Sequence, residues 1–238
     1  MRNALALAAR QYGFELVENG LAFLIRYQEP QGHWRLERYG NGSGNETDET
    51  ALTRSDTAAT GLALLAFQGA GYNHLEYRYA EPMRRAVSWL VTQQKEDGDL
   101  YVESDPDSSQ YARLYSHSIA ALALCEAYGI TQDPTLKEPA QKALDYIVAS
   151  QDPKLGGWRY LPARGADTSV TGWMMMALKS GRLAGLEVEE EPFEKIAIWL
   201  GQAADADLPG EYRYNPYAEN TSRQSHGRVV SPSMTAVG

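Results

Sequence analysis

Apolar residues recur at the spacing of an amphipathic helix in four segments of the chain, three of which end at a glutamine. These three are GLAFLIRYQ ending at Gln28, AVSWLVTQQ ending at Gln94 and ALDYIVASQ ending at Gln151. The fourth, IAIWLGQAA, has Ala204 where the glutamine is expected. Each segment leaves one face polar, which is typical of a helix that packs on a core. The pattern predicts amphipathic helices near residues 15–28, 82–94, 138–150 and 192–203.

A second kind of segment alternates with the first and is apolar on nearly every side. Its copies are DTAATGLALLAFQGAG from Asp56, HSIAALALCEAYG from His117 and DTSVTGWMMMALKSG from Asp167, and SMTAVG from Ser233 resembles their beginning. A helix without a polar face is a buried helix, and small residues allow neighbouring helices to approach closely. The pattern predicts buried helices at 56–69, 117–128 and 167–181. Their expected glycine stops are Gly69, Gly129 and Gly181.

Each glutamine is followed by a loop that contains a glycine and, in two copies, a tryptophan. The loops read QEPQGHW, QKEDGDL and QDPKLGGW. The last carbonyls of a helix lack partners, so a glutamine amide can bind backbone there while glycine allows a sharp turn. The tryptophan would then cover the neighbouring repeat. This arrangement predicts structural, not catalytic, roles for Gln28, Trp34, Gln94, Gln151 and Trp158.

The repeating unit is therefore an amphipathic helix, a loop and a buried helix, which recurs every 50 to 65 residues or so. Buried helices in an inner ring and amphipathic helices in an outer ring would form an all-α, partial α/α-toroid with one domain over residues 1–238. A linear solenoid is the alternative, but its helices rarely have every face apolar. Because SMTAVG breaks off within the fourth unit, we expect a fragment of a larger toroid. Its uncovered apolar edge would favour self-association.

Charge and composition restrict the partners of the chain. The formal net charge is −9, which argues against nucleic acid, and no apolar run approaches the ~20 residues of a membrane span. The apolar stretch in MRNALALAARQYG is shorter than that of a usual signal peptide, so a first helix is the preferred interpretation. Cys125 is the only cysteine, which excludes an internal disulfide. None of these features indicates a compartment.

The loop motif resembles the QW motif of squalene and oxidosqualene cyclases. FLIRYQEPQGHW fits that motif throughout, WLVTQQKEDGDL has Leu100 in place of the tryptophan, and YIVASQDPKLGGW carries one inserted residue. YSHSIAALALCEAYG and DTSVTGWMMMALKSG look like bacterial prenyltransferase/squalene-oxidase repeat proteins. The resemblance covers about residues 15–238. It implies the toroid of the terpenoid cyclase and protein prenyltransferase superfamily, but most of the bacterial group has no assigned activity.

The catalytic motifs of that superfamily are incomplete in this chain. Class II cyclases carry an acid motif similar to D-x-D-D-T-A, and in TRSDTA only Asp56, Thr57 and Ala58 agree. Prenyltransferases bind zinc through Asp, Cys and His, but Ala58 and Ser169 stand at the cysteine positions. Cys125 lies eight residues past His117, which is roughly 12 Å along a helix and too far for a shared zinc ion. We therefore predict no metal site and no cofactor.

The starts of the buried helices are the candidate site. In a toroid they surround one mouth of the central cavity, so Asp56, His117 and Asp167 are the candidate catalytic residues. Helix capping is the alternative role for the two aspartates. Histidine caps poorly, which makes His117 a candidate for proton transfer. Tyr115 and Trp173 are candidate ligand-binding residues in an apolar cavity.

Three functions remain open from the sequence, and it does not decide whether the chain is an enzyme. The first is a module that binds an apolar or isoprenoid ligand, or a protein segment, without cyclase chemistry. The second is a terpene cyclase or prenyltransferase whose remaining catalytic residues lie beyond Gly238. The third is a polysaccharide-active toroid in which Asp97, Asp99 and Glu103 would serve as cleft carboxylates.

Overall fold

The computed structural model of the chain is all-α. It describes residues 2–36, 55–103, 110–219, 221 and 225–238, and this part contains isolated β-bridges but no strand. The α-helices are α1 Arg2–Arg26, α2 Asp56–Gly69, α3 Ala80–Gln93, α4 Arg113–Thr131, α5 Pro134–Ala149, α6 Thr168–Leu183, α7 Glu191–Ala203 and α8 Pro232–Thr235. Short 3-10 helices span Gln110–Ala112 and Ser225–Arg228. Within the described residues, no helix combines the length and apolar character needed to cross a membrane.

The predicted amphipathic helices correspond to α1, α3, α5 and α7, which we call the peripheral helices. α3 and α7 start within two residues of their predicted positions. α5 starts four residues early, because Asp133 caps its amino end by accepting a hydrogen bond from the Thr135 N–H, and Pro134 follows it. α1 extends back to Arg2, so the apolar stretch near the amino terminus is helical.

The predicted buried helices correspond to α2, α4 and α6, which we call the central helices. The short α8, in the segment SMTAVG that resembles their beginning, has no buried residue and is grouped with them by its place in the fourth unit. α2, α4 and α6 pack side by side in chain order, and α3 and α5 each contact two successive central helices. α4 is covered from both sides and is buried around most of its circumference. α2 and α6 instead expose apolar side chains, including Leu62 and Leu183. The expectation of helices buried on every side therefore holds for α4 alone among these three.

Two of the predicted glycine stops have a different function. Gly69 ends α2, but Gly129 and Gly181 lie inside α4 and α6. A Cβ atom at Gly181 would lie 2.3 Å from Leu144 Cδ1. Glycine at this position therefore allows α5 and α6 to approach each other, instead of ending the helix.

The three glutamines make the same pair of hydrogen bonds in three successive units. Each Nε2 donates to the carbonyl of a glycine in its own loop and to the carbonyl of a proline in the next peripheral helix. The sets are Gln28 to Gly32 and Pro82, Gln94 to Gly98 and Pro139, and Gln151 to Gly156 and Pro192, at 2.8–3.3 Å. We call this contact the glutamine bridge. It joins each loop to the peripheral helix of the following unit.

The glycine of each bridge has a left-handed backbone and touches the next peripheral helix. Gly156 has φ +78°, and a Cβ atom there would lie 2.5 Å from the Lys195 carbonyl oxygen. Gly98 has φ +92°, and its Cβ would lie 2.2 Å from the Lys142 carbonyl oxygen. A side chain would be strained by the backbone and would also collide with main chain. Only glycine fits both conditions.

The predicted burial of the two loop tryptophans is confirmed, since Trp34 and Trp158 are each 1% exposed. The Trp34 indole N–H donates to the Leu24 carbonyl at 2.8 Å, and that of Trp158 donates to the Ile147 carbonyl at 2.9 Å. Both carbonyls lie in the last turn of the preceding peripheral helix. Each tryptophan therefore gives a hydrogen bond to an otherwise unpaired carbonyl at a helix end, and its ring fills the space between helices.

Candidate functional site

A main-chain hydrogen bond fixes how the central helices correspond to one another. In each unit, the residue at the tryptophan position donates its backbone N–H to a side chain one turn inside the following central helix. The donor and acceptor pairs are Trp34 and Thr60, Leu100 and His117, Trp158 and Thr171, and Tyr212 and Thr235. His117 is thus equivalent to the threonines. Arg113 occupies the position in α4 that Asp56 and Asp167 occupy in their own units.

His117 is a fully buried structural link, and it points toward α5. Its Nδ1 accepts the Leu100 N–H at 3.1 Å, so that nitrogen carries no proton in this contact. Its Nε2 lies 3.1 Å from the Ala143 carbonyl oxygen and must donate to it. The neutral imidazole therefore uses both ring nitrogens to join the loop to α5. The predicted convergence of His117 with Asp56 and Asp167 on one cavity entrance is wrong.

Asp99, beside His117, is also fully buried. Its carboxylate accepts hydrogen bonds from Lys95 Nζ and Arg113 Nη2, both at 2.8 Å. The polysaccharide hypothesis needs this carboxylate in an open cleft. Asp99 instead neutralises two cations and orders its own loop. Asp97 accepts the Asp99 N–H at 3.1 Å, which gives it a role in the same turn.

Asp56 lies in the first turn of α2 but does not cap it. The cap is Ser55, whose hydroxyl oxygen accepts the Ala58 N–H at 3.1 Å. The Asp56 carboxylate lies 3.6 Å from His33 Nε2, and the His33 ring stacks on Trp89 at 4.7 Å. Asp56 is therefore associated with the first loop and α3. Its role as a candidate catalytic residue gains no support from these contacts.

Asp167 is the amino-terminal cap of α6 and is fully buried. One carboxylate oxygen accepts the Val170 N–H at 2.8 Å, and the other accepts the Tyr214 hydroxyl at 2.9 Å. Arg159 Nε lies 3.8 Å from the second oxygen. Burial raises the pKa of Asp167 to about 6, although the Val170 N–H, the Tyr214 hydroxyl and Arg159 act in the opposite direction.

A chain of hydroxyl groups leads away from Asp167. The Tyr160 and Tyr214 hydroxyl oxygens are 2.5 Å apart. Because Tyr214 donates its proton to Asp167, Tyr160 must be the donor in the bond between the two tyrosines. Neither tyrosine was predicted as a site residue from the sequence. A signal was present, since WRY at 158–160 and YRY at 212–214 repeat one pattern two residues past the tryptophan position.

Tyr160 forms part of an apolar cavity at the amino ends of α2 and α4. The cavity has a volume of about 640 Å³. Its lining consists of Leu36, Ser55, Ala58, Leu62, Tyr111, Ala112, Tyr115, Ser116, Ile119 and Tyr160. We call it the apolar cavity. Tyr115, predicted to bind ligand, lines it and donates its hydroxyl proton to Ser169 Oγ at 2.8 Å. Trp173, predicted with it, packs against the core and is not part of this lining.

A second cavity, of about 460 Å³, adjoins the first. Its lining consists of Tyr111, Arg159, Tyr160, Leu161, Arg164, Tyr214, Ala218, His226 and Gly227. We call it the basic cavity. Tyr111 and Tyr160 line both cavities, and their rings meet edge to face with centroids 5.3 Å apart. Tyr160 therefore connects the Asp167 hydroxyl chain to both spaces.

The remaining candidate groups for metal or nucleophile chemistry are enclosed or dispersed. Within the residues that the structure describes, no three His, Cys, Asp or Glu side chains are grouped so that they could hold a metal ion. Cys125 is fully buried in α4, and burial raises the pKa of its thiol well above the ordinary value. A thiol in this state is a poor nucleophile.

Comparison with known proteins adds no family to this picture. No protein-family model matches the chain, and no curated protein matches it either. The loop motif and the geometry of the two cavities are therefore the indications of function in this chain.

Proposed function

We propose that the chain is a module of the squalene cyclase and prenyltransferase type, a partial α/α-toroid, that binds an apolar or isoprenoid-type ligand. The observation that carries the proposal is the apolar cavity between α2 and α4. Leu36, Leu62 and Ile119 line it together with three tyrosines. Its volume lies in the range of small-molecule sites, which are mostly apolar with a few polar groups.

The repeated contacts support the architectural part of the proposal. The glutamine bridge recurs in three units, and the central and peripheral helices alternate along the chain. In a toroid, the amino ends of the central helices surround one mouth. The apolar cavity lies at these ends in α2 and α4, which is where the resemblance to cyclases predicts a ligand.

Ligand binding in this cavity would rest on the burial of apolar surface, at about 25 cal/mol per Å². Leu62 is 43% exposed and Tyr111 is 57% exposed, so a ligand would cover apolar surface that water now contacts. The hydroxyl groups of Tyr115 and Tyr160 would hold the polar end of an isoprenoid alcohol. The proposal requires no catalytic residue.

Titration with farnesol, followed by intrinsic fluorescence and calorimetry, tests this proposal. We expect saturable binding that weakens at least fivefold in Leu62→Gln, because a polar amide would replace apolar lining. Ile198→Gln is the matched control, since Ile198 is 57% exposed on α7 and does not line the apolar cavity, whereas Leu183 lines a different apolar space of about 800 Å³ together with Leu122 and Met176. Binding of oligosaccharides but not farnesol would favour a polysaccharide-active protein. Equal effects of the two substitutions would contradict the assignment of the cavity.

We propose as a second candidate that Asp167 donates a proton to an isoprenoid substrate. The specific observation is a fully buried carboxyl whose pKa is raised to about 6 and whose hydroxyl chain ends at both cavities. A carboxyl with this pKa is roughly half protonated at pH 6 and about one-tenth protonated at pH 7, so it can act as a proton donor at mildly acidic pH. Incubation with squalene and with farnesol, followed by gas chromatography, tests this candidate. A cyclised or hydrated product that Asp167→Asn eliminates would support it, and a product that persists in this variant would exclude Asp167 as the donor.

A further inference from the structure

The basic cavity concentrates positive charge in a protein whose formal net charge is −9. Arg159, Arg164 and His226 line it, and no Asp or Glu belongs to the part of its lining that the structure describes. The carboxylate that pairs with Arg159 is that of Asp167, which is fully buried and accepts the Tyr214 hydroxyl. A concave site with two arginines and no acid in its described lining attracts anions.

Arg159 lines the basic cavity with its guanidinium group. Its guanidinium lies over the Tyr160 ring, with Cζ 5.0 Å from the centroid. Its Nε is buried and makes no hydrogen bond among the described residues, and the 3.8 Å separation from Asp167 is too long for one. The Arg159 side chain is nevertheless 30% exposed and lines the cavity, so an oxyanion that enters would meet its guanidinium group.

Arg164 lies in a loop that two backbone N–H hydrogen bonds hold in one conformation without a ligand. The buried Asp152 accepts the Gly165 N–H at 2.7 Å, and the Ser150 carbonyl accepts the Ala163 N–H at 2.8 Å. Ala163, the first of these two anchors, has the left-handed φ of +53°, and Arg164 lies between them. An ordered loop spares the entropy that a flexible one would lose on binding. The Arg164 side chain itself is exposed, so its removal should leave the fold intact.

We propose that the basic cavity binds an oxyanion, namely the phosphate or carboxylate head of an amphipathic ligand whose apolar chain occupies the apolar cavity. The oxyanion site rests on the basic cavity, and the placement of the chain rests on the function proposed above. The planar guanidinium groups of Arg159 and Arg164 match the oxygens of either head group. Because Tyr111 and Tyr160 line both cavities, one molecule with a charged head and an apolar chain can contact both.

Calorimetric titration with dodecyl phosphate, dodecanoate, dodecanol and inorganic phosphate tests the inference, with each amphiphile below its micelle concentration. We expect dodecyl phosphate or dodecanoate to bind the wild type at least tenfold more tightly than dodecanol. Arg164→Gln should remove most of this advantage and leave dodecanol binding unchanged, and Arg159→Gln should act in the same direction. Arg84→Gln is the control, because Arg84 is exposed on α3 and pairs with Glu81. Circular dichroism melting verifies that each variant is folded.

The outcomes separate this inference from the function on which it partly rests. If dodecanol binds as tightly as both charged amphiphiles, and Arg164→Gln changes none of them, the oxyanion site is refuted while the apolar-ligand proposal stands. If inorganic phosphate binds in an arginine-dependent way and dodecanol does not bind, the oxyanion site stands and the apolar-ligand proposal is refuted. If neither phosphate nor any amphiphile binds, both are refuted. The stronger of dodecyl phosphate and dodecanoate identifies the head group.

Discussion

The glutamine loops and the amino ends of the central helices are neighbours in every unit, yet they differ in how strictly they repeat. The loops make the same contacts three times, with the same atoms and nearly the same distances. At the amino ends, the position of Asp167 is taken by Arg113 in α4 and by Asp56 in α2, and the three side chains have different partners. The repeated loop contacts therefore hold the fold together, whereas the amino ends of the central helices have a different role in each unit.

The divergent positions have two different outcomes. In the second unit, Arg113, Asp99 and His117 form a closed polar cluster that binds its own loop to α4 and α5. In the third unit, Asp167 is bonded to Tyr214, and Tyr214 and Tyr160 border open cavities. A buried polar group that is fully satisfied inside the protein stabilises the fold, whereas one that reaches a cavity is available to a ligand. This difference places the candidate site in the third unit.

Removal of a loop tryptophan should cause the largest loss of stability among the substitutions that test this comparison. Trp158→Ala should lower the free energy of unfolding by about 3–5 kcal/mol, because it deletes a fully buried ring and its hydrogen bond to Ile147. Urea denaturation followed by circular dichroism measures the change. Trp173→Ala is the control, since Trp173 is only partly buried and should cost clearly less. Equal losses in both variants would show that the loop is not the more important structural element.

The bridge glycine gives a smaller and more specific test. Gly156→Ala should cost about 2–4 kcal/mol, because the new Cβ meets the Lys195 carbonyl on a left-handed backbone. Gly185→Ala separates the two causes. Gly185 also has a left-handed φ, of +87°, but nothing lies within 4 Å of the point where its Cβ would stand. It should cost only the backbone strain, about 1 kcal/mol. If the two glycines are equally sensitive, contact with the next helix contributes nothing.

The pH dependence of stability tests the amino end of α6. The folded-state pKa of Asp167, about 6, lies above the ordinary 3.8, so the folded state binds the extra proton and stability falls as pH rises through this window. Asparagine caps a helix as well as aspartate does but carries no charge. Asp167→Asn should therefore match the wild type at pH 4 and exceed it by about 1–3 kcal/mol at pH 7.5. Parallel stability curves between pH 4 and 7.5 would disprove the raised pKa.

The sequence predicted the loops well because their contacts depend on a few residues with particular shapes. The spacing of glutamine, glycine and tryptophan indicated the helix ends, and the apolar period indicated both sets of helices. The start of α4 was missed, because Arg113 and Ser116 made that turn resemble a polar loop. Both have partners inside the protein, since Arg113 Nη2 donates to Asp99 and the Ser116 hydroxyl donates to the Ala112 carbonyl at 2.7 Å. Polarity alone does not reveal an internal partner.

The candidate site was only partly predictable for a related reason. Asp167 and Tyr115 were identified from position and type, but Tyr160 and Tyr214 were not. The two tyrosines meet across 54 residues of chain, in loops of consecutive units. A repeat pattern shows that two residues are equivalent in their units, but it does not show that they touch. The prediction that His117 is equivalent to the aspartates failed for a similar reason. The correspondence between units is set by the backbone N–H at the tryptophan position, and every residue type except proline has such a donor.

The acceptors in the glutamine bridge have a consequence for how this protein can change in evolution. Each glutamine reaches a main-chain carbonyl of the next peripheral helix, a group that every residue type supplies. The connection between units therefore places little demand on the partner's side chain at that point. A unit could be duplicated, exchanged or allowed to drift in sequence while its neighbour still recognised it. The glutamine bridge can thus hold successive units together while the rest of each unit changes in sequence. New binding surfaces could arise in the residues between one bridge and the next.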